Sequence, residues 1–204
     1  GKKAVSKELQ QLHDMETYIP VDSMSLTKEE GYQALSSLIF LIEKRDGVVK
    51  ARACTDGSKQ RRQVGYNKHD FASPTVGNNS IMITSTIEAH EEQDVAIIDI
   101  PGAFLHAHVG KDGKIIMLFK GRLAELMAMI EPQLYRKYVT YDSKGNAMLY
   151  VQMTKALYGL LESALRFYKK LVKDLESYGF EVNPYDPCVA NKTINGKQMT
   201  VTCH

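Results

Sequence analysis

The sequence predicts an α+β fold, and three observations predict it. Apolar or alternating runs flank tight-turn signals at Asp46–Gly47, at the DSKGN stretch and at Asn195–Gly196, which is how hairpins are written. A helical period runs from Glu162 to Tyr178, with Leu165, Tyr168, Leu171, Val172 and Leu175 on one face. Apolar runs such as DVAIIDI and KIIMLF are too short for helices and read as strands. With 204 residues and 44% hydrophobic content, the chain can bury a core of one ordinary domain or two small ones.

Taken in order, Val5, Leu9 and Leu12 place a helix over Ala4 to Met15. Thr27 is an N-cap followed by acids. Lys44 to Arg52 forms a hairpin turned at Asp46–Gly47. Thr55 to Pro74 is polar, basic and glycine-containing, hence a loop. Asn79 to Glu92 is a helix with several β-branched residues. Asp94 to Ile100 is a strand with both faces covered, stopped by Pro101 and Gly102. Ala103 to Ala107 makes a short helical turn. Lys114 to Phe119 is a strand, and Leu123 to Ile130 a helix ended before Pro132. Tyr138–Tyr141 and Met148–Met153 form a second hairpin. The long helix from Glu162 stops at Gly179, and Val189 to His204 is a last hairpin.

Bulk charge excludes little, since the formal net charge is +2. The distribution says more. Eight basic residues lie between Lys44 and Lys68, against the acids Asp46 and Asp56. Such a patch suits phosphates or is a solvated face. The three cysteines, Cys54, Cys188 and Cys203, show no CxxC spacing, so neither a zinc site nor a disulfide framework is indicated, and a reducing compartment fits. No apolar run approaches the roughly 20 residues that cross a bilayer. Both ends look cut from something longer.

Asp99 is the residue with the sharpest chemical question. A carboxylate at a buried strand end is costly unless it caps a turn, pairs with a cation or binds a metal. His106 and His108 share a face if extended and could bind metal, but no third ligand is recognisable near them. Asp186 reads as a turn or cap before Pro187, and Cys188 as a packed small residue.

Five stretches occur in one order: KARACTDGSKQ, FASPTV, IIDIPGAFL, KALYGLLESALRFY and GFEVNPYDPCV. Together they resemble the Ty1/copia-type reverse transcriptase domain of retrotransposon Pol polyproteins, over roughly Ala4 to His204. The resemblance implies fingers and a partial palm of a polymerase, with an antiparallel central sheet and packed helices. It implies a fingers-like region over 1–92 and a partial palm over 93–204. Asp99 and the backbone carbonyl of Ile100 then face two Mg²⁺ ions, which activate the 3′-hydroxyl and neutralise pyrophosphate. Lys50 and Arg52, at i and i+2 on one strand face, contact the triphosphate. Phe104 excludes a 2′-hydroxyl. Tyr158 and Gly159 lie beside nucleotide and template. The basic residues Lys59, Arg61 and Arg62 bind nucleic acid. Implied partners are an RNA/DNA primer–template, deoxynucleoside triphosphates and other Pol domains such as integrase and RNase H, with no membrane. The implied location is a cytoplasmic virus-like particle, with nuclear access possible.

Departures accompany the match. LESA, Leu161 to Ala164, replaces the K-Q-A-P of the family. FASPTV carries an inserted serine, and Lys120 to Tyr150 reads as an insertion. The family's V-D-D would follow His204. Without it the expectation is a fragment that does not polymerise alone. The competing expectations are a non-catalytic nucleic-acid-binding remnant and a pseudogene product.

Overall fold

Ala147, Leu149, Val151 and Met153 recur at every second residue, and all four are buried. That period puts one strand face wholly into a core. The structure, a computed structural model, describes residues 1–63, 68–110 and 114–203. The helices are α1 (Lys2–Asp14), α2 (Lys28–Gln33), α3 (Ser58–Gln63), α4 (Lys68–Phe71), α5 (Asn78–His90), α6 (Arg122–Ile130), α7 (Pro132–Tyr135) and α8 (Ser163–Ser177). The strands are β1 (Tyr18–Pro20), β2 (Leu35–Glu43), β3 (Val49–Thr55), β4 (Ile116–Lys120), β5 (Thr140–Tyr141), β6 (Ala147–Met153), β7 (Glu181–Val182), β8 (Val189–Ile194) and β9 (Lys197–Thr202). Short 3-10 turns cover Ser23–Ser25, Ala103–His106 and Arg136–Tyr138.

The main sheet runs β1-β6-β4-β2-β3, with β5 also on β6. Strands from before and after residue 92 therefore share it. Its pairings are antiparallel except β2 with β4, where Leu35 lies beside Met117 in parallel. Leu9 and Leu12 of α1, Ala53 of β3, Met117 and Phe119 of β4, and Ala124, Leu126 and Met127 of α6 join the buried face of β6 in one cluster. Tyr18 lies edge-on to Phe119 and donates its hydroxyl to the Met127 sulfur. Burial raises its pKa well above the ordinary tyrosine value. Thr27 caps α2 in a reciprocal box with Glu30, which satisfies donors at both ends of the first turn.

A smaller sheet, β7-β8-β9, closes the chain. Val76, Cys188 and Val189 form its buried cluster, with Tyr168 and Cys203 packed beside them. Asp186 ties this region together. It accepts hydrogen bonds from the Cys188 N–H (2.9 Å) and, across 109 positions, from the Gly77 N–H at the start of α5 (2.8 Å). A side-chain hydrogen bond from Ser80 and these amides hold its carboxyl below the usual range. It is thus the expected turn cap and also a cap for a distant helix.

Three expectations are corrected. Residues 94–100 form no strand: the segment is unpaired and exposed, with Ile97 99% and Ile98 83% accessible. The apolar sequence was right for a strand, but strand formation depends on a neighbour to pair with, and none lies alongside among the described residues. Asp99 is correspondingly exposed and not at a strand end. The expected loop 55–74 contains α3 and α4, and its residues 64–67 lie outside the described set, as does His204 of the last hairpin. Helix α5 forms where expected but buries no residue.

Leu149→Ala should cost about 2–5 kcal/mol in urea unfolding, as core truncations do. Ile98→Ala should stay within about 0.5 kcal/mol, as exposed substitutions do. Comparable losses for both would contradict the exposed placement of residues 94–100.

Candidate functional site

Strand β3 alternates cleanly. Ala51, Ala53 and Thr55 are buried, while Lys50 and Arg52 are exposed on the opposite face. Small residues inside let α1 lie close, and its Glu8 carboxylate accepts the Ala53 N–H at 2.8 Å. Register with β2 places Ile42 opposite Lys50 and Phe40 opposite Arg52. Ile42 and Phe40 are about half exposed, so cations and apolar side chains share one face.

The next donor along the outer edge of β3 is Thr55. Its N–H donates to the Tyr158 carbonyl at 2.8 Å. This brings residues 157–160 against the strand end at very short range. Gly159 has φ +94°, and a Cβ built there would overlap the Thr55 carbonyl. A Cβ on Gly57 would overlap the Gly159 carbonyl. Only glycine fits both sides of this approach. The Gln60 side-chain carbonyl accepts the Leu161 N–H at 3.3 Å, adding a second tether. In the departing LESA stretch, Ser163 is buried and donates to the Leu157 carbonyl.

With the backbone docked, the Tyr158 ring meets Arg52, whose guanidinium carbon lies 4.6 Å from the ring centroid. On its other contact Tyr158 meets Phe104, with centroids 4.5 Å apart. Phe104 also approaches Phe167 of α8 at 6.3 Å, edge to face. Phe104 reaches this place because the chain after its 3-10 turn pairs with the chain before Tyr158. The Ala156 N–H donates to Ala107 and the Val109 N–H to Thr154. Arg52, Phe104 and Tyr158, far apart in sequence, thus form one stack of cation and rings. The i, i+2 spacing puts Lys50 on the same strand face.

The other candidates sit differently. The Lys59 ammonium donates to the carbonyls of Tyr32 and Ala34, closing the end of α2, and lies over the Tyr32 ring. Arg61 and Arg62 belong to α3, with Arg62 exposed. Asp56 caps that helix through the Ser58 N–H, and hydrogen bonds from Ser58 lower its pKa. Burial pushes the Cys54 thiol up, while Arg52 pulls it the other way. The His108 backbone forms an isolated antiparallel β-bridge with Lys155, and a His106 ring nitrogen lies 3.3 Å from the Pro101 carbonyl. Asp99 and Ile100 lie on the exposed 94–100 segment. Among the described residues no group of three or more His, Cys, Asp or Glu could hold a metal ion. Asp99 and the Ile100 carbonyl would by themselves supply too few oxygens for two Mg²⁺ ions, which require several ligands.

Sequence similarity sets the chain beside retrotransposon Pol polyproteins. It is 24% identical over 204 residues, 98% of the chain, to the retrovirus-related Pol polyprotein from transposon TNT 1-94 of Nicotiana tabacum. The chain covers 13% of that protein's length. This similarity supports an origin in a retrotransposon Pol polyprotein. No family model matches the chain, and no solved structure matches it. Among the described residues no helix is long and apolar enough to cross a membrane.

Gly159→Ala should destabilise the chain by about 1–3 kcal/mol more than Gly196→Ala. Both positions have positive φ, but a Cβ at Gly196 meets open space. Urea unfolding of the two variants isolates the close approach to Thr55, and equal losses would contradict it.

Proposed function

We propose that the chain is a fingers and partial-palm portion of an RNA-directed DNA polymerase from a Ty1/copia-type retrotransposon. The observation that carries this reading is the Arg52–Tyr158–Phe104 stack. Residues to which the sequence resemblance assigns one nucleotide site meet in space. The similarity to a Pol polyprotein supports the same reading. In it, residues 1–92 are fingers-like and 93–204 belong to the palm. Lys50 and Arg52 bind the triphosphate through charge-assisted hydrogen bonds. Phe104 screens the sugar, and Tyr158 and Gly159 shape the floor beneath the base pair. Lys59, Arg61 and Arg62 border the nucleic acid. Partners are a primer–template, deoxynucleoside triphosphates and other Pol domains, and the setting is a cytoplasmic virus-like particle.

Asp99 and the Ile100 carbonyl are the metal-facing groups of this proposal, with two Mg²⁺ ions as cofactors of the whole enzyme. The described residues gather no group of three or more potential metal ligands, and the remaining ligands of such a centre would come from elsewhere in the Pol chain. A second reading is a nucleic-acid-binding module without catalysis, which the exposed basic side chains Lys50, Arg52 and Arg62 support.

Fluorescence anisotropy with a labelled RNA/DNA primer–template, across a salt series, separates the outcomes. Binding should weaken steeply with salt, and Arg62→Ala should reduce the log–log slope by about 1. Primer extension is read on a longer Pol chain that carries these residues together with a V-D-D segment: magnesium-dependent extension that is lost in Asp99→Asn selects the polymerase. Salt-dependent binding without extension by that longer chain selects the binding module. Absence of binding at low salt contradicts both.

A further inference from the structure

The spacing of the cysteines indicates no disulfide framework, yet the fold pairs two of them. The β8–β9 register sets Val189 opposite Thr202. One residue beyond that register, where Cys188 lies in the turn before β8, the Cys203 N–H donates to the Cys188 carbonyl at 2.8 Å. Opposed residues at a hydrogen-bonded antiparallel site present their side chains on the same face, with Cα atoms about 5.5 Å apart and Cβ atoms at the wide end of about 4.5–5.5 Å. A disulfide accepts that Cα separation but needs Cβ atoms about 3.5–4.5 Å apart, so the strand ends must draw together to form it. Both thiols pack in the cluster with Val76 and Tyr168, and both are free. The return ladder bond is missing, because the Cys188 N–H turns to Asp186 instead. The ladder is singly bonded at its open end, which leaves the two strand ends room to draw together.

We propose that Cys188 and Cys203 form a reversible disulfide that clamps the open end of the β8–β9 hairpin. The oxidant is a small-molecule disulfide of the glutathione class. The Cys203 thiolate, from the more accessible of the two residues, attacks one glutathione sulfur and expels a glutathione thiolate. The Cys188 thiolate then attacks the Cys203 sulfur of the mixed disulfide and expels the second. Two protein thiols lose two electrons and two protons, and one oxidised glutathione becomes two reduced ones. The bond would fasten a junction of three elements. Asp186 holds the start of α5, the Tyr168 hydroxyl of α8 donates to the Pro187 carbonyl, and Cys188 follows directly. The clamp is independent of the polymerase reading.

The test uses the full chain, reduced and then exposed to oxidised glutathione under native conditions. Remaining thiols are alkylated in denaturant, and intact mass and linked peptides are measured. The expected product is a monomer alkylated once, at Cys54, with Cys188 and Cys203 joined, and dithiothreitol reverses it. The linkage should form about tenfold faster in the native chain than in urea, because the register pre-positions the pair. Cys54→Ser should leave it intact, Cys203→Ser should abolish it, and the oxidised chain should melt above the reduced one. Three alkylated thiols, a mixed disulfide that persists at Cys203, a bond through Cys54, a native rate no faster than in urea, or an unchanged melting midpoint would each overturn the proposal.

Discussion

The candidate site depends on one hydrogen bond and the two glycines that permit it. The Thr55 N–H reaches the Tyr158 carbonyl only because Gly57 and Gly159 have no side chains between the two backbones. A buried strand-edge donor without a partner is costly, so this bond also completes the end of β3. The consequence is positional. Arg52 leaves β3 three residues before Thr55, and Tyr158 provides the carbonyl itself. The backbone contact therefore fixes the separation at which guanidinium and ring meet. A site assembled on a sheet edge inherits the rigidity of the sheet.

The two parts of the molecule differ in how fully they satisfy their apolar residues. Around β4 and β6 the sheet faces are filled by α1 and α6, and Leu149, Val151 and Met117 are wholly buried. Around α5 and α8 they are not. Helix α5 has no buried residue, and along the apolar stripe of α8 Leu165, Tyr168, Leu171, Val172 and Leu175 are covered but short of full burial. The cation–aromatic stack joins the two parts, since Arg52 stands on β3 while Phe104 meets Phe167 of α8, whereas Asp99 lies on the exposed segment 94–100.

Much of the architecture was legible because local chemistry decided it. The Thr27 capping box, the Asp46–Gly47 and Asn195–Gly196 turns, and the apolar spacing of α1 and α8 act within a few residues, and each produces the element expected. The strand over 94–100 failed because its apolar pattern states a preference, while a strand also requires a pairing neighbour. The Gly57–Gly159 approach was invisible because a single sequence does not show which distant backbones touch. The same reason hid the backbone approach of Cys203 to Cys188 and the reach of Asp186 to α5. Lys59 was legible as part of a basic run, but its bonds to the carbonyls of Tyr32 and Ala34 were not, because they join residues more than twenty positions apart. Lys50 and Arg52 were legible as a pair, since an i, i+2 spacing on a hairpin strand fixes their face.

Native-state amide hydrogen exchange at Thr55 tests the central claim most directly. If Tyr158 and Gly159 are docked on β3, the Thr55 amide should exchange as slowly as core amides such as Met153, which donates to Ile115 within the main sheet. Exchange at Thr55 as fast as in the exposed segment 94–100 would contradict the docking, and with it the assembly of Arg52, Tyr158 and Phe104 into one site.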